Sequence, residues 1–122
     1  MRTVVRIYAG EDGVSHIEDV TLPFKPFTDP DGNLDDRTAL EAANGVIFRV
    51  PPPGFFQKRH TAPRRQYIVT LSGEAEIGAS DGTVRRIGAG EILLADDLTG
   101  EGHTTRIVGD QPRFAMMVPL GK

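Results

Sequence analysis

The sequence predicts a single all-β domain, and two observations lead to that prediction. The chain has 14 glycines and 9 prolines in 122 residues, so turns are frequent and long helices are disfavoured. Between the turns lie short apolar runs, at the ~8–12-residue spacing of the strands in a sandwich or barrel. A chain of this length can bury one hydrophobic core but not two. We therefore expect one β domain.

The overall charge and composition exclude several classes of protein. The net charge of −3 at pH 7 argues against a nucleic-acid-binding protein, which needs a basic surface to displace counterions. No apolar run approaches the ~20 residues of a membrane-spanning helix, so we expect no membrane partner. The N-terminal stretch lacks the features of a secretory signal and the chain has no cysteine, so we expect the protein in the cytoplasm.

The first 45 residues are predicted to add edge strands and a loop flap to the same domain. Residues 3–8 (TVVRIY) form a β-rich run, and residues 14–22 alternate loosely between apolar and polar positions. Residues 23–33 hold three prolines and an Asp-Gly pair, which predicts a loop. Residues 35–43 (DDRTALEAA) begin with acidic side chains and precede Asn-Gly, a pattern typical of a short helix.

Residues 46–122 are predicted to form the main β unit. Its strands are residues 46–50, 55–61, 67–71, 74–79, 83–87, 92–95, 103–108 and 114–120. A Ser-Asp-Gly turn at residues 80–82 is the clearest hairpin signal. Several strands are apolar on both faces, which indicates that an outer face is buried as well. A homodimer is the simplest way to bury it.

The stretch GFFQKRHTAPRRQYIVTLSG carries Gly54, His60, Gln66 and Gly73, with five, five and six residues between them. These positions resemble the first motif of the cupin superfamily. That motif usually runs glycine, five residues, His-x-His, three or four residues, glutamate, six residues and glycine. Ala62 stands where the second histidine would be, and Gln66 stands where the glutamate would be.

A second stretch resembles the other cupin motif, which usually runs glycine, five residues, Pro-x-Gly, two residues, histidine, three residues and asparagine. Gly90 can open it and His103 can supply its histidine, with an interval two residues longer than usual. Asp96, Leu98 and Ile107 replace the proline, glycine and asparagine. The resemblance covers roughly residues 46 to 120 and implies a cupin double-stranded β-helix, the jelly-roll barrel.

The spacing also has a physical meaning. Residues i and i+2 of a strand point to the same face, so His60 and Ala62 would both face the barrel interior. Ala62 offers no donor atom, but Gln66 can reach back across the turn and His103 can join from a distant strand. With no cysteine in the chain, a metal ion must be bound by imidazole and oxygen ligands.

The resemblance implies that His60, Gln66 and His103 hold a divalent metal ion, either Fe, Mn, Ni or Zn. The set is similar to a two-His-one-carboxylate site without its carboxylate, so it should bind metal weakly unless an anionic substrate adds ligands. The alternative is that the three polar groups only hydrogen-bond one another or water. Without metal they can still bind a substrate, with His60 or His103 as general base.

Further side chains are candidates for substrate binding. Arg64 and Arg65 border the proposed mouth and can attract a carboxylate or phosphate, although turn arginines are commonly only solvated. We expect one or two of the aromatic and methionine side chains to line the pocket, with Tyr67 in that role. The acidic residues before His103 serve loop solvation and capping, unless one orients an imidazole.

Two functional hypotheses follow. The resemblance implies a metal-dependent dioxygenase, isomerase or lyase that acts on a small, anionic organic molecule. The alternative is a metal-free or non-catalytic cupin that binds a small ligand, since a fold does not decide a function.

Overall fold

A computed structural model of the chain describes residues 2–121. It contains strands but no helix in that range, and so no helix that could cross a membrane. The N-terminal strands are β1 (Thr3–Ala9), β2 (Ser15–Thr21), β3 (Lys25–Thr28) and β4 (Leu34–Arg37). The others are β5 (Ile47–Arg49), β6 (Phe56–His60), β7 (Gln66–Ser72), β8 (Ala75–Ala79), β9 (Val84–Ile87), β10 (Ile92–Asp96), β11 (His103–Ile107) and β12 (Phe114–Pro119). The predicted all-β class is confirmed.

Two sheets form the body of the protein. The larger has the order β2-β1-β10-β7-β12-β5, and the smaller has the order β6-β11-β8-β9. From β5 to β12, the chain passes from one sheet to the other at every connection except the β8–β9 hairpin. The hydrogen-bonded pairs among these eight strands are all antiparallel. This is the strand order of an eight-stranded jelly roll. No backbone ladder joins the two sheets within residues 2–121, so a closed barrel stays a prediction.

The N-terminal strands extend the larger sheet beyond β10. β1 pairs with β10 in parallel, with Val5 opposite Leu93, and pairs with β2 in antiparallel fashion. The β1 side chains of Val5 and Ile7 are buried in the core, and Val4 is buried on the opposite face. β1 is therefore an internal strand of the sheet, with β2 at its edge.

Residues 25–37, inside the segment predicted as a loop and a helix, form a β-hairpin instead. β3 pairs with β4, and the turn between them is closed by Asp29, whose Oδ1 accepts hydrogen bonds from the backbone N–H groups of Asp31 and Asn33. The helix prediction was wrong because the apolar side chains of residues 39–43 are exposed and give a helix no packing partner. Leu40 is 101% exposed, and a helix of under three turns needs tertiary packing to form.

The main core lies between the two sheets and includes Ile7, Ile77, Ile87 and Leu93, which are at most 1% exposed. A second cluster covers the outer face of the larger sheet, where Val4, Leu94 and Leu120 are buried beside half-buried neighbours. Both faces of the central strands therefore bury apolar side chains within this chain. The predicted homodimer stays a prediction.

Candidate functional site

A cavity of about 110 Å³ lies between the inner faces of the two sheets. Its walls are inward-facing side chains from several strands of both sheets, such as Ile68 of β7, Met117 of β12 and Ile77 of β8. The titratable residues that line it are His60, His103, Arg49 and Arg113. An internal space with two imidazoles and two guanidiniums in a mostly apolar wall is suited to a small polar ligand.

The two predicted site histidines are next to each other in the structure. His60 ends β6 and His103 begins β11, and the two residues are directly opposite in the antiparallel ladder. Their ring centroids are 4.6 Å apart and the ring planes are inclined by 53°. His103 is 4% exposed and His60 is half-buried. The fold thus brings together two imidazoles that are far apart in the chain.

Both imidazoles are held in the same tautomer. His103 Nδ1 is 2.5 Å from Asp97 Oδ2, and a carboxylate can only accept, so Nδ1–H is the donor. His60 Nδ1 is 2.7 Å from the carbonyl oxygen of Lys58, which also can only accept. In the neutral form of each ring, the proton is therefore on Nδ1 and the lone pair is on Nε2, the atom that can bind a metal ion or accept a proton.

Asp97 is the acidic residue that orients an imidazole, one of the two roles considered for the acids before His103. It is fully buried, and its backbone carbonyl accepts a hydrogen bond from the N–H of Ala62 at 3.0 Å. Its Oδ1 has no hydrogen-bond partner within residues 2–121. A buried carboxylate oxygen without a partner is costly, and such groups are typical of functional sites.

Gln66 lies at the same end of the cavity. It begins β7, so the connection of residues 61–65 runs directly from His60 to Gln66. The side chain is 2% exposed, and Oε1 is 3.5 Å from Arg64 Nη1, a distance at which a hydrogen bond is weak. The amide oxygen therefore keeps most of its capacity to accept. Ala62 is buried in the cavity wall and adds no donor atom.

These donors fit a divalent metal ion in their chemistry. Two neutral imidazoles and an oxygen suit Zn, Fe, Mn or Ni. Within the described part of the chain, no group of three His, Cys, Asp or Glu side chains could hold an ion. Beside His60 and His103, a third protein ligand from this cavity would therefore be a neutral oxygen, and the lining residues that carry one are Gln57, Gln66 and Thr105.

The two motifs occupy matching places in the jelly roll. The first spans β6 and β7, the second runs from β10 to β11, and the histidine of each lies opposite the other across the β6–β11 ladder. The strand order and the placement of the two motifs agree with the cupin fold. Neither a family model nor a curated protein matches the sequence of this chain.

Several solved structures are similar to the cupin fold of this chain. An RmlC-like cupin protein from Desulfovibrio desulfuricans is 17% identical, with 97% of this chain and 83% of that chain covered and a TM-score of 0.45. The cupin domain of Cnp3 from Schizosaccharomyces pombe is 14% identical, with coverages of 99% and 86% and a TM-score of 0.46. A conserved protein of unknown function from Streptococcus pyogenes is 18% identical, with both coverages 70% and a TM-score of 0.47.

The turn between β1 and β2 supports the loop that carries Asp97. The backbone N–H of Glu101 donates to the carbonyl of Gly13 at 2.8 Å, and Ser15 Oγ donates to the carbonyl of Gly102 at 2.6 Å. Ser15 and Gly102 are buried, so the second bond is shielded from water. The N-terminal hairpin thus helps to fix the two residues directly before His103, a role that the sequence did not indicate.

The three predicted substrate-binding residues lie outside the cupin cavity. Tyr67 follows the inward-facing Gln66, so it points to the outer face of the sheet, where its hydroxyl donates to Glu41 at 2.9 Å. Burial, and then the bond to Glu41, raise the pKa of Tyr67. Arg65 pairs with Glu41 at 3.3 Å, and Arg64 is exposed. None of the three lines the cavity, although Arg64 Nη1 approaches Oε1 of the cavity-lining Gln66. A substrate-binding role for Arg64, Arg65 and Tyr67 stays a prediction.

Two arginines that the sequence reasoning did not single out line the cupin cavity instead. Arg113 is 5% exposed, and its Nε and Nη2 both donate to Thr70 Oγ1, at 3.1 and 2.9 Å. Burial, together with the positive charge of Arg49, lowers the pKa of Arg113 to about 10. The alternation of residues toward β12 could have indicated that Arg113 faces the cavity. Position 113 has the same parity as Ala115 and Met117, which point inward.

Proposed function

We propose that the protein is a metal-dependent enzyme of the cupin type that acts on a small, anionic organic molecule. In this proposal the two sheets enclose the cavity as a barrel, and His60, Gln66 and His103 hold Fe, Mn, Ni or Zn there. The chemistry is of the dioxygenase, isomerase or lyase type. The observation that carries the proposal is the shared tautomer of the two histidines, which leaves an Nε2 lone pair on each ring.

Each residue of the set has a definite task. Asp97 accepts from His103 Nδ1–H and so fixes the ring orientation and increases the basicity of Nε2. The carbonyl of Lys58 does the same for His60. Gln66 presents a neutral oxygen at the end of the connection from His60. A bound ion would supply Lewis acidity toward an oxygen atom of the substrate.

The charge of the ligand set favours an anionic substrate. Two imidazoles and an amide leave the whole charge of a divalent ion uncompensated, whereas a carboxylate ligand would remove one unit. No Asp or Glu is among the described residues that line the cavity. A substrate carboxylate would therefore provide both the missing negative charge and a further oxygen ligand.

The second candidate is a metal-free cupin that binds a small acid. It is favoured by Ala62, which removes the second histidine of the motif, and by the absence of an acidic ligand group among residues 2–121. In this case His103 would take up a proton on Nε2, and the Asp97 carboxylate would stabilise the imidazolium that forms.

Metal titration separates the two candidates. We expect chelator-treated protein to take up about one equivalent of a divalent transition metal, and His60→Ala and His103→Ala to lose that uptake. The matched control is His16→Ala, because His16 is the third histidine of the chain and pairs with Asp81 at the surface, 3.0 Å from its Nδ1. Uptake and affinity are read by calorimetry and elemental analysis.

The opposite results are equally informative. Uptake below about a tenth of an equivalent by the unmodified protein would remove the metalloenzyme proposal and leave the metal-free candidate. Full uptake by His103→Ala would show that the ligand set is misassigned. The His16→Ala variant must bind like the unmodified protein for either conclusion to hold.

A further inference from the structure

We propose that Arg113 and Arg49 form a carboxylate-binding subsite in the cavity, and that the ligand is a small carboxylic acid of about two to four carbons. Its carboxylate pairs with the two guanidiniums, and its other end points toward the end of the cavity that His60 and His103 line. The identity of the acid as the substrate rests on the proposed function. The subsite itself requires no metal.

The cavity has two chemically different ends. The imidazole and amide end is beside the connection of residues 61–65, which joins β6 to β7. The guanidinium end is beside the connection of residues 108–113, which joins β11 to β12 and carries Arg113. Gln66 and Thr70 mark the two ends on β7, four residues or about 13 Å apart along the strand. A small acid held at the guanidinium end occupies only part of this length, and its uncharged end faces the imidazole end of the cavity.

Arg113 is a buried cation whose protein partner is neutral. Its hydrogen bonds use Nε and Nη2, and both go to the hydroxyl of Thr70. A guanidinium has five N–H donors in a planar fork, so Arg113 retains donors for a ligand. Within residues 2–121 it forms no ion pair, although a buried charge is usually paired. An anion in the cavity would provide the missing charge.

Arg49 increases the need for that anion. It lies on β5 opposite Ala115, lines the same cavity, and forms no ion pair in the described part of the chain. Its positive charge is among the causes that lower the pKa of Arg113. Two like charges beside one cavity repel each other, and a carboxylate between them turns this repulsion into two charge-assisted hydrogen-bonded pairs.

The backbone around Arg113 is fixed, which favours a preformed subsite over a chance arrangement. The N–H of Arg113 donates to the carbonyl of Pro51 at 3.1 Å. Gly73 packs so closely on this segment that a Cβ there would lie 2.3 Å from the carbonyl oxygen of Pro112 and 2.7 Å from Arg113 Cα. Thr70 then orients the guanidinium. Such preorganisation lowers the entropic cost of binding.

The size of the cavity limits the ligand. Its volume of about 110 Å³ is well below the ~300–1,000 Å³ of sites for drug-sized molecules. Only a few non-hydrogen atoms can be enclosed, which favours a small acid over nucleotides, sugars and long-chain acids. The planar fork of arginine matches a carboxylate in two parallel hydrogen bonds, and this favours a carboxylic acid.

Calorimetric titration of chelator-treated protein with acetate, propionate and butyrate tests the subsite. We expect saturable binding with a dissociation constant on the order of 1 mM or tighter, and no binding of the neutral isosteres acetamide and propionamide. Arg113→Met and Arg49→Met should each weaken binding at least about tenfold, since each removes a charge-assisted bond. Arg106→Met is the matched control, because Arg106 is exposed and stacks on Phe56, with 4.5 Å from its Cζ to the ring centroid.

The variants also distinguish a ligand site from a structural arginine. We expect Arg113→Met to keep or raise the melting temperature without ligand, because it removes a buried charge that has no anionic partner. Arg113→Lys keeps the charge without the fork and should still lose most of the affinity. Failure of all three acids to bind the unmodified protein, or unchanged binding by both Arg49→Met and Arg113→Lys, would overturn the subsite. Because no metal is present, either result is independent of the metal titration.

Discussion

Replacing Asp97 with asparagine is expected to lower the affinity for a divalent metal about 10- to 100-fold while the fold is retained. The substitution keeps the shape of the side chain but replaces a carboxylate, which can only accept hydrogen bonds, with an amide, which can also donate them. If the amide group presents its N–H₂ to the imidazole, His103 Nδ1 becomes the acceptor and the ring proton moves to Nε2. A protonated Nε2 cannot bind a metal ion.

The tautomer can be measured without metal. Nitrogen NMR of ¹⁵N-labelled imidazoles should show a change of tautomer for His103 in Asp97→Asn, and none in the control Asp96→Asn. Asp96 is the adjacent residue, but it pairs with Arg6 at 2.9 Å and with Arg65 at 3.4 Å. If metal affinity and the His103 signals were unchanged in Asp97→Asn, Asp97 would not position His103.

Replacing Gly102 with alanine is expected to reduce the free energy of unfolding by about 3 kcal/mol or more. Gly102 has φ +77°, and a Cβ there would lie 2.2 Å from the carbonyl oxygen of His60 and 2.4 Å from its carbonyl carbon. The neighbouring backbone would have to move, and this backbone leads directly to both histidines. The decrease in the free energy of unfolding is measured by urea unfolding followed by circular dichroism.

Gly109→Ala is the matched control for this experiment. Gly109 has φ +80°, but a Cβ there would have no heavy atom within 4 Å. Its substitution carries the cost of the backbone conformation alone, roughly 1–2 kcal/mol. Equal losses in the two variants would mean that the close approach of Gly102 to His60 contributes nothing to stability.

Much of the jelly roll could be predicted because each strand is bounded by strong local signals. The glycine and proline turns, and the Ser-Asp-Gly hairpin, are visible in the chain without tertiary context. The helix prediction at residues 35–43 was wrong because it rested on the capping residues alone. Exposed Leu40 shows that the segment has no packing partner for a helical face, and packing provides most helix stability in proteins.

The sequence predicted those site residues whose positions in the two motifs indicate that they lie close together in the fold. The spacing placed His60 and Gln66 together and selected His103, and these three residues line one cavity. The sequence alone does not show that Asp97, rather than one of its acidic neighbours, orients His103, because the burial of a side chain depends on the tertiary fold. The clustered charges in the sequence pointed instead to Arg64 and Arg65, in the connection between β6 and β7, and not to Arg49 and Arg113. Nothing in the neighbouring sequence marks a single arginine that points into the cavity, except its place in the alternation of inward and outward residues along the strand.

The hydrogen bonds between the β1–β2 turn and the 97–102 loop have a dynamic consequence. If the first hairpin detaches from β10, the acceptors at Gly13 and the hydroxyl of Ser15 leave with it, so the loop beneath His103 is released in the same event. Amides in β1 and in this loop should therefore exchange with solvent deuterium as one cooperative unit. Cleavage or fusion near residue 10 is then expected to weaken ligand binding in the cavity, even though no residue of that hairpin lines it.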